Sequence, residues 1–211
     1  MYLFTRSVQI RVGHLQESAA WSLELTAKVN QVTALDARLW TPVFSPGLGT
    51  LMWAATVEDL TALEAADAKL LADPDYVALV EKGATFAVDR PIDDALWQLV
   101  HTDPDAAGAA LGYVNVVRAV LAPGHAVKGV SLGVEIAQRS KAITGRPTSF
   151  AVAETGLYGG VEWMVSADTA EQVQQAQAAL AADTDFAQLV DRANGTAYQT
   201  GATQALYRRI V

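Results

Sequence analysis

The second half of this 211-residue chain repeats its first half. Residues 49 to 101 align without a gap onto residues 159 to 211 at an offset of 110, and thirteen of the 53 positions are identical. Trp53 matches Trp163, Leu70 matches Leu180, Asp73 and Asp75 match Asp183 and Asp185, and Leu96 matches Leu206. A period this long exceeds that of solenoid repeats and predicts two fused copies of one small domain. The copies are expected at residues 1–104 and 109–211. The segment Thr102-Asp-Pro-Asp-Ala-Ala-Gly108 carries the proline, glycine and acidic residues of a junction.

Each copy opens with a stretch rich in β-branched residues, Thr5 to Val12 and Tyr113 to Leu121, ending in Gly13-His14 and Pro123-Gly124-His125. Trp21, Leu25, Val29 and Val32 then recur at helical spacing, and Leu132, Ile136, Ser140 and Ile143 repeat that spacing. Second strands are expected at Ala37 to Phe44 and Thr148 to Ala153, and third strands at Thr50 to Ala55 and Val161 to Val165. Helices should follow over Thr56 to Ala72 and Ser166 to Ala182, with Thr56 and Ser166 as their caps. Pro74 breaks the first of these, because it lacks an amide hydrogen, and Asp73 and Asp183 are placed to cap new helices. Fourth strands are expected at Ala95 to Val100 and Ala205 to Val211.

The order in each copy is β-α-β-β-α-β, the split arrangement of a ferredoxin-like domain. A four-stranded sheet with helices on one side needs cover on the other, so the fold class expected is α+β, two tandem ferredoxin-like domains packed sheet to sheet as an intramolecular α/β barrel. That makes the chain a pseudo-dimer, with room for further pairing into a homodimer.

The element order, the two-part second helix with Asp-x-Asp-aromatic at its break (Asp73-Pro-Asp-Tyr76 and Asp183-Thr-Asp-Phe186) and the fusion of two copies resemble the dimeric α/β-barrel superfamily. Within it the chain looks like a tandem member of the NIPSNAP or antibiotic-biosynthesis-monooxygenase-like group. The resemblance implies a fold and a range of activities, from cofactor-independent monooxygenases and small isomerases to haem-degrading and chlorite-dismutase-like proteins. The haem-degrading members' pattern has an Asn on the first strand, a Trp on the third and a His on the second helix. Asn115 and Trp163 match the first two. Both second helices lack histidine, and a one-residue shift is expected to turn the tryptophans to the opposite strand face. No cofactor and no metal are expected.

Composition narrows the partners. A net charge of -8 without a basic cluster argues against nucleic acid, which needs a coherent Lys/Arg surface. No apolar run reaches the roughly 20 residues that span a bilayer. Arg6 and Arg11 interrupt what would be the apolar stretch of a signal peptide. The chain has no cysteine, which excludes thiolate chemistry and suits a reducing compartment. A cytoplasmic protein without membrane or nucleic-acid partners is therefore expected.

The candidate ligand residues are polar or aromatic groups on strands. Arg6, Gln9, Asn115 and Arg118 lie on first strands, where a polar side chain needs a partner. They are expected either to point between the sheets as donors for an oxygenated or anionic ligand, or to pair with Glu154, Glu162 or backbone groups. Trp53 and Trp163 suit either a packed core or a cavity wall. Asn115, Arg118, Trp163 and Glu162 in the second copy and Arg6 and Trp53 in the first are the candidate binding set, and the second copy, with its greater polar variety, is the site expected to bind. Glu24 with Lys28 and Glu135 with Arg139 are spaced for ion pairs along one helix. His14 and His125 read as solvated loop residues. The expected function is binding of a small, largely apolar organic molecule, with cofactor-independent monooxygenase-like or isomerase-like chemistry. The alternative is a non-catalytic structural or protein-interaction module. An open pocket of several hundred Å3 would favour binding, and a core filled by Trp53, Trp163, Trp97 and Tyr207 would favour interaction.

Overall fold

A computed structural model describes residues 1–11, 13–89, 92–103 and 111–210. Most of the junction, and the strand-end residues Val12 and Val211, lie outside the described residues. The elements run β1 (Tyr2–Gln9), α1 (Leu15–Thr33), β2 (Arg38–Pro42), β3 (Thr50–Val57), α2 (Leu60–Ala72), α3 (Pro74–Ala84) and β4 (Asp93–Thr102). They continue with β5 (Tyr113–Val120), α4 (Ala126–Thr144), β6 (Thr148–Ala153), β7 (Gly160–Ala167), α5 (Ala170–Ala182), α6 (Thr184–Asn194) and β8 (Thr203–Arg209). The protein is a mixed α+β structure, and its strand pairings are antiparallel.

Two compact units are present, and each crosses the limits of the sequence repeat. The first comprises Met1–Leu96 together with the C-terminal end from Arg209, and the second comprises Trp97–Arg208. In the first unit β3 pairs with both β1 and β2. The Ile210 amide donates to the Leu39 carbonyl beside β2. The first residues of β4 lie along β1, where Arg6 meets Asp94. In the second unit β7 lies between β5 and β6, β8 adds beyond β5, and the later residues of β4, from Trp97, add beyond β6. The fourth strand of each repeat is thus divided between units, which an ungapped alignment has no means to reveal.

One face of each sheet carries the helices. In the first unit Trp21 and Leu25 of α1, Leu70 of α2 and Tyr76 of α3 bury against Leu39, Leu51 and Trp53. In the second unit Leu132 and Ile136 of α4 and Leu189 of α6 bury against Phe150, Val161 and Trp163. Burying each such side chain contributes on the order of 1.5–3 kcal/mol, so these layers hold the helices down. Phe150 faces Trp163 across strands as Leu39 faces Trp53, so Phe150 and Leu39 are counterparts.

Local chemistry sets the helix ends. Asp59 and Thr169 cap α2 and α5, accepting from the amides of Ala62 and Gln172. Thr56 and Ser166 do not, because β3 and β7 run on to Val57 and Ala167 and bury both of those residues. Asp73 and Asp183 cap α3 and α6 as expected, each accepting from the amide three residues on. Those amide bonds, with Lys28 and Arg139 as further partners, hold both carboxyls below the usual carboxylate range. The expected ion pairs within single helices do not form. Lys28 reaches Asp73 and Asp75, and Glu24 meets Lys82. Arg139 likewise reaches Asp183 and Asp185, and Arg192 meets Glu135. The acids at the helix break hold the cation in place of its neighbour one turn away, so these charges bind one helix to another.

The two long helices end alike on a residue in the left-handed region, Ala34 (φ 60°) after α1 and Gly145 (φ 67°) after α4. Glycine adopts that region freely, whereas alanine is strained there by its Cβ. Ala34→Gly should therefore raise stability by about 0.5–1 kcal/mol, read as a higher urea midpoint at unchanged m-value. The reverse change, Gly145→Ala, should lower the midpoint.

Candidate functional site

A β-strand turns successive side chains to opposite faces, so parity decides which first-strand polar residues can meet. Arg6 on β1 lies opposite Trp53 on β3, and both face the helices. Asn115 on β5 lies opposite Val165, two residues from Trp163, and also faces the helices. Gln9 and Arg118 have the other parity. The four polar residues therefore fall on two faces, and Arg118 and Gln9 take the second of the two expected courses, donating to Glu162 and to the Leu48 carbonyl. Asn115 and Trp163 share a face, which follows from register.

Between sheet and helices the first unit holds a cavity of about 790 Å3. Its walls are Trp21, Leu25, Trp53, Leu70 and Val80, with Phe4 and Val8 from the sheet. Trp53 is buried, and its indole N–H donates to Thr26 Oγ1 at 2.8 Å. Trp21 stands edge-on to it and donates to the Leu79 carbonyl at 2.7 Å. The two rings are thus fixed by both packing and hydrogen bonds. Gly83 on α3 lies directly under the Trp21 ring, where any Cβ would collide with it.

Arg6 is one of five charged groups, among the described residues, that line this space, with Arg11, Glu64, Asp67 and Asp89. Its Nε and Nη2 donate to the two Asp94 carboxylate oxygens at 2.8 and 2.7 Å, a bidentate pair, and its guanidinium lies over the Phe4 ring. The Asp94 hydrogen bond raises the Arg6 pKa, against the effect of burial and with help from the nearby Tyr76 and Asp67. Tyr76 and Asp67 also line the cavity. Sequence reasoning passed over both, although Asp67 could have been found by reading it against Gln177 at the repeat offset.

The second unit has a cavity of about 470 Å3 at the corresponding place. Trp163 forms its floor, donating to the Gly133 carbonyl at 2.9 Å and packing edge-on against Tyr198. Gly133 lies so close to the Phe150 ring that a Cβ would overlap it. Tyr198 donates its hydroxyl to the Gly129 carbonyl, and burial pushes its pKa up. Asn115 Oδ1 accepts from Gln204 Nε2 at 2.8 Å. Ser140 lines the same cavity, buried, with no hydrogen-bond partner for its hydroxyl among the described residues.

Arg118 and Glu162 form a separate group on the helix-free face of the second unit's sheet. Arg118 Nε donates to Glu162 Oε2 at 2.9 Å, and its guanidinium lies over the Trp97 ring. The Glu162 side chain is only 2% exposed. Burial pushes its pKa up, and Arg118 opposes that rise. For Arg118, burial works against the charge, but Glu162 and Tyr207 outweigh it and the pKa stands raised. Trp97 Nε1 is buried without a partner among the described residues. Of the six candidates, then, Arg6 and Trp53 share the first cavity, Asn115 and Trp163 share the second, and Arg118 and Glu162 pair apart from both.

His14 and His125 stand exposed just before α1 and α4, neither capping its helix with its side chain. Among the described residues no histidine lines either cavity, and no group of three or more His, Asp or Glu could hold a metal. Asn115 and Trp163 do meet, but the imidazole that completes the haem-degrading pattern is missing from their cavity. The residues present do not fit haem held in that way. No helix among the described residues is long and apolar enough to cross a membrane.

No protein family matches the chain by sequence, and no curated protein does. Solved structures match it over its whole length. A candidate monooxygenase from Fusobacterium nucleatum is similar with a TM-score of 0.71 at 8% identity, covering 100% of this chain and 92% of that one. An anthrone oxidase-like protein matches with a TM-score of 0.67 at 12% identity, covering 100% and 91%. A haem-binding protein from Thermus thermophilus matches with a TM-score of 0.57 at 11% identity, covering 100% and 91%. The chain shares the fold of these proteins.

Removing one partner of the Arg118–Glu162 pair leaves the other unpaired. Arg118→Met should cost about 3 kcal/mol at neutral pH, the usual scale for an orphaned buried charge. The Glu162 pKa then rises further above its unfolded value, so stability falls as pH increases through that interval. The deficit should accordingly shrink on acidification, and adding Glu162→Gln should restore part of it. Urea unfolding of both variants between pH 5 and 8 checks the sign.

Proposed function

We propose that the protein is cytoplasmic and binds a small, largely apolar organic molecule carrying one anionic or ionisable oxygen, in the cavity between sheet and helices of the first unit. The observation that carries this reading is the cavity itself, about 790 Å3, with mostly apolar and aromatic walls and with Arg6 and Arg11 among its charged lining beside Glu64, Asp67 and Asp89. Pockets of several hundred Å3 with few polar groups are the common form of small-molecule sites. Trp53 and Trp163 line open space, and this favours binding over a purely structural or protein-interaction role. The larger volume and Arg6 favour the first unit over the second as the principal site.

Cofactor-independent monooxygenase-like or isomerase-like chemistry suits this arrangement. A substrate that passes an acidic C–H proton to a cavity carboxylate such as Asp67 develops negative charge on an oxygen, which Arg6 is placed to stabilise. Apolar walls hold the rest of the molecule in one orientation. The names of the monooxygenase and anthrone oxidase-like neighbours agree with an oxidation in which dioxygen is the oxidant. Descent of both units from one duplicated domain accounts for the repeat and for a cavity in each. We include that duplication in the proposal, with copies spanning 1–104 and 109–211.

Isothermal titration with 2-naphthoate and its neutral amide, 2-naphthamide, tests the site. Arg6→Met should weaken naphthoate binding about tenfold, equivalent to about 1.4 kcal/mol, and change naphthamide binding less than twofold. Ala55→Trp, which fills the cavity, should abolish naphthoate binding while circular dichroism stays unchanged. Naphthoate affinity untouched by either variant would refute the site.

A further inference from the structure

We infer that the second unit's cavity is a binding site in its own right, for a neutral small molecule that exchanges hydrogen bonds through a carbonyl or amide group. The two cavities share an apolar frame. Trp53 and Trp163, Leu70 and Leu180, and Val80 and Val190 occupy matching wall positions. The polar residues around that frame have been exchanged position by position.

Arg6 lies opposite Trp53 and Val117 opposite Trp163, so Val117 stands where the first unit has its arginine. Gln204 lies opposite Val117 and replaces Asp94, the partner of Arg6. At the repeat offset Gln177 replaces Asp67. Three charged positions have thus become neutral together. In the other direction, Asn115 stands where the first unit has Phe4, Asn194 where it has Ala84, and Ser140 where it has Val29. Among the described residues that line the second cavity, none is charged. Loss of charge alone would leave an ordinary apolar core. The simultaneous gain of two amides and a hydroxyl does not.

Ser140 is the independent sign of a ligand. It is 3% exposed, its hydroxyl has no hydrogen-bond partner among the described residues, and it lines the cavity. A buried hydroxyl without a partner is destabilising, and the first unit's valine at this position carries no such burden. A ligand group that bonds to the hydroxyl relieves it. Asn115 and Gln204 bond to each other through Oδ1 and Nε2, so the Asn115 amide N–H groups and the Gln204 carbonyl retain bonding capacity. Gln177 and Asn194 add further amides. Such a lining offers donors and acceptors but no counter-ion. It therefore matches a neutral carbonyl or amide, while an anion would lose hydration without a cation to replace it. The rings of Trp163 and Phe186 receive the apolar body of the molecule.

The test uses indole N–H signals in 1H–15N NMR spectra of the full chain, with Trp53 and Trp163 assigned through their phenylalanine variants. 2-Naphthamide should shift the Trp163 signal saturably, and 2-naphthoate, ionised at pH 7, should not. Ser140→Val should weaken the naphthamide response at least fivefold and keep the melting temperature equal or higher. Val117→Arg with Gln204→Asp rebuilds the first unit's ion pair and should make the Trp163 signal respond to naphthoate. A Trp163 signal that ignores naphthamide, responds equally to both probes, or is indifferent to Ser140→Val overturns the inference. The Trp53 signal reports on the first cavity separately, so failure there is distinguishable from failure here.

Discussion

In each unit one indole sets the distance between sheet and helices. Trp53 and Trp163 rise from β3 and β7, and each donates its N–H to the long helix of its own unit, to Thr26 Oγ1 in one and the Gly133 carbonyl in the other. A large ring with a satisfied polar tip is stable in a buried place and resists compression. It fixes the helix at a set height above the strands. Close packing then occurs on one side of the ring, and the space on the other side becomes a cavity. The tightly placed glycines serve the same geometry, Gly83 beneath Trp21 and Gly133 beside Phe150.

Electrostatics divides the work differently. Ion pairs at the helix surface join α1 to α3 and α4 to α6, and partly exposed pairs of this kind contribute modestly. The costly charges are inside. Glu162 is buried on the helix-free face with Arg118 as its counter-charge, so that pair specifies a packing arrangement more than it adds stability. Arg6 is different because its pair with Asp94 borders a cavity. An arginine bound at one edge and facing apolar space at the other can receive a second acceptor.

The comparison between units carries the functional argument further than either unit alone. A shared frame of Trp, Leu and Val preserves the shape of the space, while exchange of Arg6, Asp67 and Asp94 for Val117, Gln177 and Gln204 removes its charge. Shape is set by bulky residues that cannot change without repacking, because interiors tolerate little change of volume. Polar groups at the wall are freer to vary. Two cavities of similar frame, one with a charged lining and one without, are a natural product of that difference.

The repeat was legible by aligning the chain with itself, and the order of elements, the break at Pro74 and the caps at Asp73 and Asp183 were legible because each depends on residues a few positions apart. Periodicity, turn chemistry and capping are local. Where local signals competed, the sequence was less decisive: Thr56 looks like a cap, but Val57 has a buried place waiting in the strand. The candidate site was legible only as a list of residue types. Whether Asn115 meets Arg118 or Trp163 depends on strand register, and a shift of one residue reverses it. The division of β4 between units, the cross-helix partners of Lys28 and Arg139, and the unpartnered hydroxyl of Ser140 depend on contacts between residues far apart in the chain. Those contacts are decided by packing the whole of each unit, and only the tertiary structure contains them.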